Sequence, residues 1–389
     1  MTENEASIYA TLGVRRVINA DARRTRLGGS LMPQAVIDAM REASRSHVDI
    51  LELQRAIGSE IAKLTHNEAA YVCTGASAGI VLSTLATMTG TDMRLISRMP
   101  DVPGIRNEVI IHRNHRTPFD PAIRMAGARL VEIGDTFETF TWDLEAAIGP
   151  RTAAVMYIAG DHFVRPGPAG GTNVLPIAKT IEIAHAHDIP VIVDAAAQLP
   201  PVENLWHFTR DLGADLAIFS GGKDLRGPQS SGLVVGRRDL IDACFENGSP
   251  YQRYARPMKV GKEEMVGLLR AIELYLQEDQ AERSRDFERI VDHWLGGLAG
   301  IPGLSAHRVF PNEAGQPIPR VLIEVDVARV GRNGIELAAC LWDRDPRIAV
   351  KPAGPRGFYL TPDTLSSGDE QTILNAVKEV VSTGNVSDT

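Results

Sequence analysis

The chain has 389 residues, with 41 basic against 49 acidic side chains for a net charge of −8. That length supports a large core and exceeds one small domain. The charge argues against a nucleic-acid partner, which needs a concentrated basic face to displace counterions from phosphates. Cys73, Cys244 and Cys340 are far apart, with no Cys-x-x-Cys spacing, so they indicate neither a disulfide framework nor a metal site. The start, Met1-Thr2-Glu3-Asn4-Glu5, lacks the basic and then apolar pattern of a secretory signal, and no apolar run approaches the ~20 residues of a membrane helix. A soluble, cytoplasmic α/β protein is expected.

In chain order, helical patterns cover residues 33–44 and 51–64. They lie in an N-terminal segment, 1–60, that packs on a small domain or on a partner subunit. From about residue 67 to 260, short β-branched runs alternate with helical patterns, the mark of a parallel sheet built from βαβ units. Runs at 109–112, 154–158, 191–194, 216–219 and 233–235 read as strands, several without polar alternation, as expected when both faces are covered. An amphipathic helix is expected over 175–187. The strand at 233–235 follows its predecessor through a Gly- and Ser-rich turn, which allows antiparallel pairing. Residues 61–260 form the large domain on this reading. Beyond it lie helices at 263–276 and 281–295, the second stopped by Gly296-Gly297, then a strand at 321–327 and a helix at 369–381. These make a smaller α+β domain, 261–389.

The chemistry centres on Ser220-Gly221-Gly222-Lys223-Asp224-Leu225-Arg226-Gly227-Pro228-Gln229. A lysine just past a strand and bracketed by glycines sits where backbone closely approaches a ligand, and a desolvated amine can form a Schiff base with a carbonyl. A solvated surface turn is the competing reading. Asp194 ends the strand Val191-Ile192-Val193 and is followed by three alanines, which points it to the crevice where α/β sheets bind ligands; a helix N-cap is the alternative. The small-residue turn Thr74-Gly75-Ala76-Ser77-Ala78-Gly79 leads into a helical run at 80–88, where exposed N–H groups and the helix dipole favour a phosphate.

These segments, with Val17-Ile18-Asn19-Ala20, Leu27-Gly28-Gly29 and Arg256-Pro257-Met258-Lys259-Val260-Gly261-Lys262-Glu263, resemble the selenocysteine-synthase-like group of fold type I pyridoxal-phosphate enzymes. Within that group the likeness is to the branch related to D-glucosaminate-6-phosphate ammonia-lyase, and it runs nearly end to end. The resemblance implies a mostly parallel, seven-stranded-type central sheet with helices on both faces and a smaller α+β C-terminal domain. It implies pyridoxal 5'-phosphate as cofactor, with Lys223 as the Schiff-base lysine and Asp194 on the pyridinium nitrogen. Gly75, Ala76 and Ser77 would take the phosphate with Ser220, and His115 would cover the cofactor face, with His112 close by. Asn19, Arg24 and Thr25 from the N-terminal segment, and Arg256 and Lys259 after the large domain, are the candidate substrate-binding residues. The last two share a face if helical, and a solvated helix start is the plain alternative. Gln198 lies four residues after Asp194, where related enzymes place a glutamine three residues on. His185 and His187 lack the spacing of metal ligands on one helix face, and no metal is expected.

Two departures from the relatives bear on substrate. Asp21-Ala22-Arg23-Arg24 stands where they tend to have glycine, and Asp363 follows Pro362 where they tend to carry an arginine; Arg356 or Arg347 are the candidate substitutes. The expected activity is α,β-elimination on a hydroxylated amino acid or amino-sugar acid, giving a 2-oxo acid and ammonia. Transamination and racemisation start from the same lysine chemistry and remain alternatives, as does a silent scaffold. A selenium transferase acting on tRNA is disfavoured by the acidic balance and by the absence of an N-terminal RNA-binding extension. The family further implies a homodimer or larger homo-oligomer acting on a small molecule.

Overall fold

The computed structural model describes residues 7–160 and 173–382, so the acidic stretch of residues 1–5 lies outside the described part. Its strands, in chain order, are β1 (Val17–Ala20), β2 (Ala69–Cys73), β3 (Glu108–His112), β4 (Arg129–Ile133), β5 (Thr152–Ile158), β6 (Val191–Asp194), β7 (Leu216–Ser220), β8 (Gly232–Gly236), β9 (Leu304–Val309), β10 (Arg320–Val325), β11 (Arg347–Pro352) and β12 (Gly357–Leu360). The chain divides into a larger unit, Ser30–Glu278 with Glu313–Gln316, and a smaller one made of the described parts of Met1–Gly29, Asp279–Asn312 and Pro317–Thr389. The helices Gln34–Ala43 and Ile50–Leu64, read from sequence as part of a separate N-terminal segment, cluster with the larger unit, as do residues 261–278. Their helix Lys262–Gln277 packs against Gln34–Ala43, where the bare Gly267 faces Met40.

The larger unit holds a seven-stranded sheet in the order β2-β8-β7-β6-β5-β3-β4. β8 pairs antiparallel with both β2 and β7, and the remaining pairs are parallel. The apolar runs lack polar alternation because each strand feeds two cores. Val155, Tyr157, Val191, Val193 and Phe219 enter one cluster, while Ala154, Met156, Ile192, Ile218 and Val234 enter the other, as a period of two requires. On the second face the helix Gly75–Thr89 lies close to the sheet, since a methyl group at Gly79 would sit 2.8 Å from Ile218 Cγ2.

The smaller unit carries a five-stranded sheet, β1-β11-β12-β10-β9, in which β1 is parallel to β11 and the other pairs are antiparallel. The helices Gln280–Leu298 and Asp369–Ser382 pack together in this unit. Two sequence expectations are corrected here. The helix expected to stop at Gly296-Gly297 continues through both glycines to Leu298; Gly297 is bare for packing and not for termination, since a side chain there would strike Leu374 of the neighbouring helix. The strand expected over 321–327 ends at Val325, where the Asp326 carboxylate accepts from Ala328 N–H at 3.1 Å and caps the short helix Val327–Val330. Among the described residues, no helix is long and apolar enough to cross a membrane, and no group of three or more His, Cys, Asp or Glu side chains could hold a metal ion.

The two helical glycines predict opposite outcomes. Gly296 has open space around it, so Gly296→Ala should stabilise the protein by about 0.5–1 kcal/mol through helix propensity and a restricted unfolded chain. Gly297→Ala should destabilise it by about 1–3 kcal/mol through overpacking against Leu374. Urea denaturation of the two variants tests the pair; equal effects would refute the packing account.

Candidate functional site

In the seven-stranded sheet the parallel strands end together. β2 ends at Cys73, β3 at His112, β5 at Ile158, β6 at Asp194 and β7 at Ser220, and β8 begins at Gly232 on the same edge, where it pairs with both Cys73 and Ser220. Asp194 pairs with Ile158 on one side and Ile218 on the other. The strand-end residues singled out in the sequence therefore share the carboxyl edge, where open α/β sheets bind ligands.

Asp194 is 8% exposed. Its Oδ1 accepts from Ala196 N–H at 3.0 Å. Burial pushes its carboxyl above the usual carboxylate range, while the Ala196 N–H and the nearby Lys223 ammonium pull the other way. A buried carboxylate of this kind favours a cation or an N–H donor beside it. Lys223 is half-buried in a turn closed by Arg226 N–H to Lys223 O at 3.0 Å and Gly227 N–H to Gly221 O at 2.8 Å. Glycine is required at the two positions before Lys223. A side chain at Gly222 would strike Gln229, and one at Gly221 would strike Ser231. Ser220, the last residue of β7, is half-buried.

The third element is the start of the helix Gly75–Thr89, five residues earlier than its apolar run suggested. Thr74 occupies the N-cap but does not cap; its Oγ1 donates to Ser230 O at 3.2 Å, and the first turn carries no acidic residue. Gly75 has φ +82°, Gly75 and Ala76 are half-exposed, and Ser77 is exposed, so the uncapped N–H groups lie at the surface of the edge. Gly232 makes this approach possible, because a Cβ there would strike the Gly75 carbonyl carbon and lie 2.8 Å from Ala76 N. Sequence reasoning missed Gly232, whose only signal was its place at the head of β8.

His115 is fully buried in the turn after β3, and its Nδ1 accepts from Ile158 N–H at 3.3 Å. This places it beside the strand partner of Asp194. His112 is also fully buried; its Nε2 accepts from Leu175 N–H at 3.3 Å, and its ring lies 4.9 Å from that of His115 and 5.7 Å from that of Tyr157. Burial lowers the His112 pKa to about 4, so the ring is neutral. Because Nε2 accepts, the proton of the neutral ring sits on Nδ1.

The remaining candidates lie elsewhere. Arg256 is half-buried in a 3-10 turn, Arg256–Met258, and Lys259 is exposed in extended backbone, so they do not share a helix face. The Arg256 Nε is buried without a hydrogen-bond partner among the described residues. Lys262, beyond them, donates to Ala43 O at 2.7 Å. Asn19, Arg24 and Thr25 belong to the smaller unit. The Asn19 amide is committed to its own loop, donating to Ala22 O at 2.9 Å and accepting from Asp21 N–H at 3.0 Å. Arg24 pairs with Asp21 at 2.8 Å, and Thr25 is exposed at the head of a 3-10 turn. Gln198 donates to Ala314 O at 3.2 Å. A cavity of about 700 Å³ opens on the opposite edge of the larger sheet, lined by His66, His185, Asp215 and Arg237 among others. Its polar groups answer one another: His185, read from sequence as a surface residue, lies 2.9 Å from Asp215, which also accepts from Val191 N–H at 2.7 Å and pairs with Arg237.

Known proteins resemble the chain over most of its length. Residues 17–291 match the family described as SelA: L-seryl-tRNA selenium transferase. A 5'-C-glycyluridine monooxygenase-decarboxylase from Streptomyces sp is 35% identical over 387 residues, covering 96% of this chain and 92% of that one. A D-glucosaminate-6-phosphate ammonia lyase from Salmonella typhimurium is 34% identical over 388 residues, covering 98% of both. The solved structure of a D-glucosaminate-6-phosphate ammonia-lyase matches with a TM-score of 0.85 at 33% identity, covering 99% of this chain and 100% of that one. A serine palmitoyltransferase from S. paucimobilis with a bound PLP–myriocin aldimine shares the fold, with a TM-score of 0.58 at 14% identity over 95% of this chain and 88% of that one.

The two buried titratable groups predict opposite pH behaviour. His112 has a folded pKa below its ordinary 6.5, so its contribution is present above pH 6.5 and is lost as pH falls toward 4. A shift of that size corresponds to a loss of at most about 3 kcal/mol, and His112→Gln, which keeps an acceptor for Leu175 N–H, should flatten that part of the stability profile. Asp194 has a raised pKa, so its contribution is present below the ordinary carboxylate range and is lost as pH rises through its folded value. Without added ligand, Asp194→Asn should therefore melt above wild type at neutral pH. Melting curves across pH 4–8 check both, and a parallel offset of either variant at every pH would contradict the assignment.

Proposed function

We propose, because the chain belongs to the family described as SelA: L-seryl-tRNA selenium transferase, that it is a pyridoxal-phosphate-dependent carbon–nitrogen lyase. Its substrate on this reading is a hydroxylated amino acid or amino-sugar acid, which loses the elements of water across its α- and β-carbons and then ammonia, giving a 2-oxo acid. The observation that carries the reading is the meeting of Lys223, buried Asp194 and an uncapped helix start on one sheet edge.

The residues suit the cofactor. Bare Gly232 lets the head of β8 close against the helix start, and the N–H groups of Gly75, Ala76 and Ser77, with the Ser220 hydroxyl, are donors for a phosphate. Asp194 would hold the ring nitrogen, exchanging an unfavourable buried charge for a charge-assisted hydrogen bond. His115 would lie against the ring. When bound, pyridoxal phosphate supplies an electron sink for negative charge at the substrate α-carbon.

Lys223 then has two duties. It anchors the cofactor through Nζ, and once released its unprotonated amine takes the α-proton as general base. The same Nζ can return that proton to the departing β-hydroxyl, so that the C–O bond breaks with loss of water. The resulting enamine takes up water and releases ammonia, so the two waters cancel. Arg256 and Lys259, neither carrying an ion pair among the described residues, would receive the substrate's carboxylate or phosphate. On the same reading the enzyme works as a homodimer or larger homo-oligomer.

The 35% identity to a monooxygenase-decarboxylase favours a second reading, loss of carbon dioxide from an amino acid with consumption of oxygen. A panel of D- and L-hydroxy amino acids and amino-sugar acids separates the two. The lyase reading expects ammonia and 2-oxo acid in equal amounts without oxygen uptake, and Lys223→Ala should lower turnover by at least about 10³-fold. Carbon dioxide release with oxygen uptake would replace it with the second reading, and normal turnover by Lys223→Ala would overturn both.

A further inference from the structure

We propose that Asp224 and Tyr275 form a positioning pair that fixes the root of Lys223; the inference rests on the proposed role of Lys223 as cofactor anchor. Asp224 follows Lys223 directly and is 1% exposed, and Tyr275, also 1% exposed, donates its O–H to Asp224 Oδ2 at 2.7 Å. Lys223 is half-buried at the carboxyl edge while its neighbour's carboxylate is sunk in the body of the larger unit. Packing alone does not ask for a carboxylate there, since burying one is costly unless donors meet it.

The helix that carries Tyr275 is fitted to this turn. Along Lys262–Gln277, Gly267 faces Pro228, Leu268 lies 2.8 Å from where a Gly221 Cβ would be, and Ala271 and Leu268 lie 3.3 and 3.4 Å from the same point at Gly227. Residues 267, 268, 271 and 275 form one stripe of that helix, so it runs along the turn and its hydroxyl meets Asp224 at the far end. Arg226, held at φ +54°, pairs with Glu278 at 2.7 Å just past the same helix, and Ser30 N–H binds Gly222 O at 3.0 Å. The turn is thus tied on both sides of Lys223. A lysine has four rotatable bonds between backbone and amine, so a fixed backbone is what confines Nζ to a small volume. Tyr275 touches neither the cofactor nor the reacting atoms on this account, and it acts through Asp224.

The test traps pyridoxal phosphate on Lys223 with borohydride and counts the product by mass spectrometry, which needs no knowledge of the substrate. Tyr275→Phe keeps the buried ring and should raise the cofactor concentration for half-maximal trapping about tenfold. The double variant Asp224→Asn with Tyr275→Phe removes the buried charge and should regain thermal stability, yet trap as poorly as Tyr275→Phe. If the double variant regains trapping along with stability, the pair is merely structural and the proposal is overturned, as it is if Tyr275→Phe traps like wild type. If wild type itself traps nothing that Lys223→Ala does not, the cofactor reading has failed instead.

Discussion

A carboxylate buried at the end of β6 sets the terms for its surroundings. Asp194 sits in the middle of a parallel ladder, with Ile158 and Ile218 as strand partners, where water is excluded and its charge is disfavoured. No stability argument favours such a group. Its presence makes sense if the folded chain is half of a charge pair, completed by a cationic ring nitrogen. The bare glycines at 221, 222 and 232 answer to the chain itself, which folds back on them through Ser231, Gln229 and Gly75 and so draws the segments around Lys223 and the helix start tightly together. Lys223 tempers the cost in the meantime, since its ammonium is among the influences that lower the Asp194 pKa.

The histidines next to this carboxylate meet the same constraint from the other side. Both accept backbone N–H groups, from Ile158 and Leu175, through one ring nitrogen. A ring held as an acceptor cannot become a cation without losing that bond, so the local backbone and the burial of His112 act in the same direction. The edge therefore sets two rings that accept through a nitrogen beside Asp194, the neutral His112 among them.

Much of this was legible in the sequence. Lys223 and Asp194 were found because strand ends are marked by apolar runs that stop abruptly; those runs marked five strands of the larger sheet, and its seven-stranded form was implied only by the family resemblance. The start of the helix Gly75–Thr89 was placed too late because Gly75 to Gly79 carry no apolar periodicity; only the structure shows that Gly79 is small so that the helix can approach Ile218. Gly296-Gly297 misled for the related reason that glycine inside a helix can answer to a neighbour, here Leu374. β1 was quoted as a motif and not as a strand, since its pairing with residues 347–350 is a contact across most of the chain that no local pattern records. Tyr275 and Gly232 escaped notice likewise, because each matters only through a distant partner.

The two departures from the relatives explain each other within the smaller unit. Asp363 stands where an arginine was expected, and a buried guanidinium is supplied from Arg23, 2.9 Å away, in the other segment that departs. The two segments are laced together: Thr361 N–H binds Ala20 O at 3.0 Å, its Oγ1 binds Asp21 O at 3.2 Å, and Thr364 Oγ1 binds Asn19 O at 2.6 Å. Removing either partner of a buried ion pair strands the other, so Arg23 and Asp363 can change only together. The buried charges at this junction are thus balanced across the two segments. Arg347, offered from sequence as a substitute, is otherwise engaged, with its guanidinium 4.6 Å from the Trp342 ring centre. The buried pair of Arg23 and Asp363 belongs to the smaller unit, while the residues suited to the cofactor all lie in the larger one.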